Sequence, residues 1–548
     1  MKRISAYMIA AAMVLAACNE SDRLELERLT AEQDSLQKVI DGIDVPGAVD
    51  PDEVDESSLK IIFDAPRYGV DAGGSATLTF TLSEKAAVEV ASKDGWSASV
   101  KMTGDTEGEI TVTAPDPAET VALVATATAE NGKMTAEELP LAVRDPYTDA
   151  TRPQLKSMGY YSFKPGEASL ENYQKLAEAG INMITVECHD SDYLTQMTLA
   201  GEAGLKVMAI VIDYAYAYSR DQSRTELDDV VNTIKNRPEL YGYHIYDEPK
   251  MDEALTLKIA KDRVEELDPN HPVYLNLNPE ASASGLGIES YYDYINNFQT
   301  LVNFEQISFD MYPIVNDPRY TYLDEGVMTN WHKCLDVVAT VAKNHGVPFW
   351  AFAASCWIDK EANVPVRAKP TVENLRLQIY TDLAYGAQAV QYFTIRSYGG
   401  TDYAPYNVYY DSASDQWLRA WTTAYDDLKT ANLDMQRRAF VFEGCTIARR
   451  GCTGTLRMSD TAFDKSFLPD EIADLSTSGD ALVSMVENGG NRYIAIVNNS
   501  WKTKQTVSAV AGNVIWSIGR DGSFTEYKPG DEISLTLDEG DLIVFKYR

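Results

Sequence analysis

The chain has 548 residues, with 83 Asp and Glu against 48 Lys and Arg, for a formal net charge of −35. That balance excludes a general nucleic-acid binder, because no basic excess is available to neutralise phosphates. The apolar fraction of 45 % is that of a folded chain, long enough for several domains.

The first element in chain order is Met1-Lys-Arg followed by an apolar run from Ile4 to Ala17. It is too short for a mature transmembrane helix and reads as a signal segment, residues 1–17. Leu15-Ala16-Ala17-Cys18 resembles the lipobox of bacterial lipoproteins, which implies acyl chains on Cys18 and a lipid bilayer as partner. The acidic Asn19-Glu-Ser-Asp22 resembles surface-export signals of Bacteroidetes lipoproteins. An outer-membrane lipoprotein facing the cell surface or the periplasm is the expected location.

Residues 18–58 read as a tether. Leu26, Gln33 and Ile40 share one heptad position and Leu29, Leu36 and Ile43 another, which fits either weak self-association through residues 22–43 or a spacer helix. Val45 to Ser58 is an acidic linker with proline and glycine. Residues 59–146 then alternate polar and apolar, in Ala76–Leu82, Glu109–Thr113 and Thr120–Ala125, and read as a β-sandwich. Gly95-Trp-Ser-Ala-Ser-Val100 and Ile110-Thr-Val-Thr-Ala-Pro115 resemble immunoglobulin-like and BACON-like modules.

Residues 153–438 alternate strand and helix eight times. The expected strands are Ser157–Ser162, Asn182–Glu187, Lys206–Asp213, Leu240–Asp247, Pro272–Asn278, Gln306–Tyr312, Pro348–Ser355 and Ala389–Ile395, with helices such as Leu170–Ala179, Ala254–Leu267, Asn330–Asn344 and Val372–Tyr385. Apolar strands alternating with helices indicate parallel strands buried on both faces, and eight units close a (β/α)8 TIM barrel. Residues 439–548 return to β structure, with strands at Leu482–Val486, Asn491–Asn498 and Asp541–Tyr547 and a tight-turn signal at Asn488-Gly-Gly490. The expected architecture is therefore multidomain: a central TIM barrel flanked by N-terminal and C-terminal β-sandwiches. Cys445 and Cys452 are close enough in sequence for a hairpin disulfide, and no metal site or cofactor is expected.

The strand ends carry the chemistry. They offer Glu187 and His189, then Asp213 and Tyr214, then Tyr246-Asp247-Glu248-Pro249, then Asn276 and Asn278, then Asp310 and Tyr312, then Trp350 to Trp357, and finally Tyr392, Arg396 and Tyr398. Carboxylates, amides and aromatics gathered on the C-terminal face of a barrel suit a carbohydrate substrate. By strand alternation, Tyr243, Ile245 and Asp247 are expected on one face and His244, Tyr246 and Glu248 on the other.

Tyr246-Asp-Glu-Pro249 and Phe309-Asp-Met-Tyr-Pro313 resemble the fourth- and sixth-strand motifs of clan A glycoside hydrolases. That resemblance implies a glycosidase with Glu248 as general acid/base, its pKa raised by an apolar wall to which His244 and Tyr246 contribute. The clan's nucleophile is a Glu on strand 7, where Val347 to Trp357 holds no carboxylate. Asp310, then Glu187, then Glu361 are the candidate partners; Asp213 neighbours them, and Asp359 lies near Glu361 out of register. Arg396 is expected on an acidic sugar or on Asp310 or Asp247. A glycan-binding lipoprotein without turnover is the alternative. A barrel lyase or aldolase lacks the strand-end Lys needed for a Schiff base.

Overall fold

A computed structural model of the chain describes residues 59–63, 68–71, 73–115, 121–144, 154–279, 285–315, 321–322, 326–358, 368–397, 401–411, 414–454, 461–488 and 491–547. The signal segment, Cys18, the heptads at 22–43, Asp359, Glu361 and Tyr398 lie outside the described residues. Among the described residues, no helix is long and apolar enough to cross a membrane. The chain divides into two compact units, one containing Gly73–Leu141 and the strand Ile61–Phe63, the other containing Ala142–Arg548.

The first unit holds two antiparallel sheets. One orders Ile61–Phe63, Ser75–Leu82, Glu107–Thr113 and Ser97–Met102; the other orders Ala86–Val90, Val124–Ala129 and Met134–Glu138. Leu78, Phe80 and Leu82 alternate with exposed threonines, so one face of that strand is buried. Gly108 lies opposite Phe80 because a Cβ there would sit 2.4 Å from the phenyl ring. The strand expected at 120–125 begins instead at Val124 and continues to Ala129, where pairing with Ala86–Val90 and Met134–Glu138 sets its limits.

The second unit contains a closed parallel barrel of eight strands in sequential order. They are β1 (Lys156–Gly159), β2 (Met183–Glu187), β3 (Lys206–Ile210), β4 (Leu240–Asp247), β5 (Val273–Leu277), β6 (Ile307–Phe309), β7 (Phe349–Ala354) and β8 (Ala389–Phe393). The connecting helices include α1 (Leu170–Glu178), α2 (Tyr193–Glu202), α3 (Ile212–Arg220), α4 (Glu226–Ile234), α5 (Ala254–Leu267), α6 (Tyr291–Val302), α7 (Trp331–His345), α8 (Val372–Tyr385) and α9 (Thr423–Arg437). Local chemistry sets their ends: Ser169, Ser290 and Thr371 accept from the first-turn amides of α1, α6 and α8, and left-handed Gly346 and Gly386 close α7 and α8. Met158, Tyr160, Met183, Met208, Tyr274, Trp350 and Phe352 fill the barrel's centre, so it is a packed core rather than a pore.

Beyond α9, a six-stranded antiparallel sheet and a three-stranded one share a single apolar cluster that includes Leu475, Val483, Ile496, Val507, Leu537 and Phe545. The larger sheet also presents Leu482, Val486, Tyr493 and Val544 to the core formed by the barrel helices. Cys445 and Cys452, close enough in sequence for a hairpin disulfide, are not bonded to each other. The extended strand Thr446–Cys452 separates them, and at about 3.3 Å per residue the two thiols stand too far apart to bond.

Candidate active site at the barrel mouth

β4 is irregular, and the irregularity makes the site. Its pairing with β5 runs His244↔Tyr274, then Tyr246↔Leu275, then Asp247↔Asn276, so β4 carries one extra residue. Ile245 packs in the helix-facing core. Tyr246 turns the same way, stacking on Tyr216 and donating to Glu253 Oε1 at 2.8 Å. The parity expected from strict alternation is therefore broken. Asp247 lies on the barrel interior with His244, and Tyr246 is removed from the wall it was expected to form.

His244 clamps the bulge. Its Nε2 lies 2.8 Å from the Tyr246 carbonyl, which can only accept, so the ring carries its proton there and Nδ1 accepts from the Tyr160 hydroxyl at 3.3 Å. Burial pushes this imidazole down to about 3, so it is neutral at physiological pH.

The next residue is strained. Glu248 stands at φ +50°, in the left-handed region that costs a non-glycine residue roughly 1–2 kcal/mol. Its N–H donates to the Asn276 carbonyl at 2.9 Å. The Pro249 carbonyl accepts from Tyr294 Oη at 2.6 Å and from Asn278 Nδ2 at 3.0 Å. These bonds hold the turn, and Glu248 is left exposed at the mouth. Asn278, expected to bind substrate, is thus a tie between strand ends.

Asp310, 5 % exposed, follows β6 and faces both carboxyls of β4. Burial, the charges of Glu248 and Asp247, and a hydrogen bond to Glu248 raise it well above the usual carboxylate range. Burial and the neighbouring Glu248 push Asp247 up to about 6, against the opposing hydrogen bond from Asn276. Asn276 Nδ2 donates to Asp247 Oδ1 at 3.1 Å and to Asp310 Oδ1 at 3.0 Å, so one amide group ties the two aspartates together. Three carboxyls thus share the mouth: an exposed Glu248, a buried Asp310 that retains its proton, and Asp247 titrating near neutrality.

Glu187 ends β2 on the interior, but Lys164 Nζ lies 2.6 Å away and His189 Nε2 2.9 Å away. Glu187, His189 and Asp190 bring three donor atoms within 4.8 Å of one another, and the Lys164 ammonium already supplies positive charge to that group. Asp213 is exposed in the first turn of α3, which starts where the sequence suggested more strand; His189 Nδ1 lies 3.5 Å from it. Tyr214, also on α3, approaches the Cys188 carbonyl at 3.5 Å. Arg396 forms a two-pronged pair with Glu167 at 2.6 and 2.9 Å, in place of the expected Asp310 or Asp247.

The aromatics divide. Tyr312 is half-buried beside Phe352 and Phe393 near the mouth, and Trp357 is half-buried in a short ribbon with Tyr403. Trp350 is sealed inside the barrel against Tyr241 and Tyr274, and Tyr392 points outward to donate to Asn432 Oδ1 at 2.8 Å; neither meets a ligand in the mouth. Phe352 and Ala354 take the interior positions at the end of β7, so no carboxylate enters from that strand. Sequence reasoning missed Tyr160, Lys164 and Glu167, which sit in or after β1 where no motif marks them.

No family model and no curated protein matches this sequence. Solved structures with similar folds include a glycoside hydrolase family 5 protein from Bacteroides vulgatus, 13 % identical, covering 72 % of this chain and 89 % of its own at a TM-score of 0.46. A protein assigned as an α-galactosidase from Bacteroides fragilis is 11 % identical and covers 89 % and 97 % at 0.38. An endo-1,4-β-mannanase from Eisenia fetida is 13 % identical and covers 55 % and 94 % at 0.32.

Proposed function

We propose that the protein is a glycoside hydrolase acting on a polysaccharide or oligosaccharide at the C-terminal mouth of its barrel. The observation that carries this reading is the arrangement of exposed Glu248 against protonated Asp310, with Asp247 beside them. Glu248 is the general acid/base: it passes a proton to the leaving glycosidic oxygen, and buried Asp310 supports it from behind. Asp247, ionised above about 6, faces the anomeric carbon as the second carboxylate. Water completes the reaction. Its hydroxyl ends on the anomeric carbon and its proton restores Glu248, so atoms and charges balance. The paired sheets on either side of the barrel in sequence serve as β-sandwich accessory modules, and acylated Cys18 anchors the chain to the outer membrane.

The test is hydrolysis of a broad panel of glycans and aryl glycosides. Wild type is expected to turn over at least one of them, and Glu248→Gln to lose about 100-fold or more while still binding it. A second reading, glycan binding without turnover, is favoured by Ala354 standing at the end of β7 where the clan places its nucleophile. Binding retained with no hydrolysis by wild type across the panel selects that reading.

A further inference from the structure

Asn276 is 3 % exposed, and its amide is fully engaged by the protein. One nitrogen faces two carboxyl oxygens, at 3.1 and 3.0 Å, so that atom must be the NH2 group. The amide oxygen lies 2.9 Å from Ser308 Oγ. Ser308 in turn is 2.9 Å from Gln391 Nε2 and 2.8 Å from the Tyr274 hydroxyl, which donates to Gln391 Oε1 at 2.7 Å. Counting protons gives this chain a direction. Gln391 Oε1 can only accept, so Tyr274 spends its proton there. Gln391 Nε2 donates to Ser308, and the single Ser308 proton then goes to Asn276 Oδ1. Three strands, β5, β6 and β8, thereby hold one amide with both N–H bonds aimed at the carboxyl cluster.

We propose that Asn276, oriented by Ser308, Gln391 and Tyr274, is a positioning residue that divides protons among the carboxyls: its N–H bond to Asp247 favours the ionised form of that group, while the shared proton stays on the Asp310–Glu248 side. The catalytic consequence rests on the glycosidase reading; the protonation itself does not. One of the two N–H bonds reaches each aspartate, but Asp310 is the more deeply buried and also bonds Glu248, so Asp247 is the group this amide tips toward ionisation. Other titratable groups bearing on the cluster are Glu248, Tyr160, Tyr274 and Tyr294, with Tyr312 beyond Tyr160. Tyr160, Tyr274 and Tyr294 are raised by burial and stay neutral throughout the relevant range.

The test is a carboxyl-carbon NMR titration of the full chain labelled at aspartate, following Asp247 in wild type, Asn276→Leu, Ser308→Ala and Ser308→Thr. Asn276→Leu is expected to raise the Asp247 midpoint by about one pH unit, a tenfold change in its acidity constant. Ser308→Ala is expected to raise it by about half as much, and Ser308→Thr, which keeps the hydroxyl, to restore it. The acid limb of any glycan hydrolysis should move with the midpoint. If Asn276→Leu does not fold, Ser308→Ala against Ser308→Thr carries the same comparison. An unmoved Asp247 midpoint in folded Ser308→Ala, or equal shifts in the alanine and threonine variants, overturns the proposal. Midpoints that shift as expected in a protein that hydrolyses no glycan leave the proposal standing and remove the glycosidase reading instead.

Discussion

At the scale of single residues, the mouth concentrates charge that folding does not favour. Asp310 carries a proton in the folded chain that it releases when unfolded, because burial and two neighbouring carboxyls raise its pKa. The folded state therefore binds more protons than the unfolded state above the ordinary carboxylate range, and its stability falls as pH rises there. Asp310→Asn keeps the shape, accepts from Asn276 and donates to Glu248 without the ionisable group. It is expected to raise the thermal midpoint by a few degrees, more at pH 8 than at pH 5, while abolishing turnover; differential scanning at the two pH values reads this, and an equal or negative shift argues against a buried acid. The three carboxyls were each legible as strand-end residues. Their division of labour was not, because pKa follows burial and neighbours that only the fold supplies. The same holds for Arg396, whose partner Glu167 lies in the loop after β1, and for Trp350 and Tyr392, whose sequence neighbourhoods look alike whether the ring meets the mouth, the barrel centre or a helix.

At the scale of elements, all eight barrel strands were readable, since parallel strands buried on both faces leave continuous apolar runs such as Met183–Val186 and Phe349–Ala354. The bulge in β4 was not readable, because alternation assigns faces by counting and one extra residue inverts the count. It decides the site: without it Asp247 would point into the helix layer with Tyr243 and Ile245. The His244 clamp gives this a test. His244→Phe keeps the volume but loses both the Tyr246 and Tyr160 bonds. Hydrolysis is expected to fall more than tenfold with far-ultraviolet circular dichroism unchanged, and wild-type activity in that variant would show that the bulge holds without its clamp. The clamp itself contributes no titration near neutrality, since burial holds His244 down at about 3.

At the scale of the molecule, the C-terminal sheets complete the barrel's core. Every residue of α8 from Asn374 to Tyr385 is buried, a helix without a solvent face. Ser484 Oγ donates to the Ala384 carbonyl at 2.7 Å. Arg438, fully buried at the end of α9, donates to the Leu542 carbonyl at 2.8 Å and bonds Asp541 and Tyr380. A barrel ending at residue 438 exposes that apolar helix and is expected to be insoluble or to lose its cooperative unfolding transition. Arg438→Met in the full chain is expected to cost about 2 kcal/mol, because the buried Leu542 and Asp434 carbonyls lose their donor while Asp541 keeps Arg520 at 2.6 Å; chemical denaturation measures it. The sequence showed strands and a tight turn after residue 439 but not which helix they would cover, since docking is encoded in shape and scattered contacts rather than in any local period.

The central claim is that Glu248, Asp310 and Asp247 form one catalytic unit, and the pH dependence of kcat/KM on a hydrolysed glycan addresses it most directly. The expected profile is bell-shaped, with an acid limb near pH 6 from ionisation of Asp247 and an alkaline limb from loss of the Asp310 proton. In Asp247→Asn the acid limb at 6 should vanish together with most of the rate. A wild-type profile flat through pH 6, or an Asp247→Asn variant that keeps both rate and limb, would contradict the account.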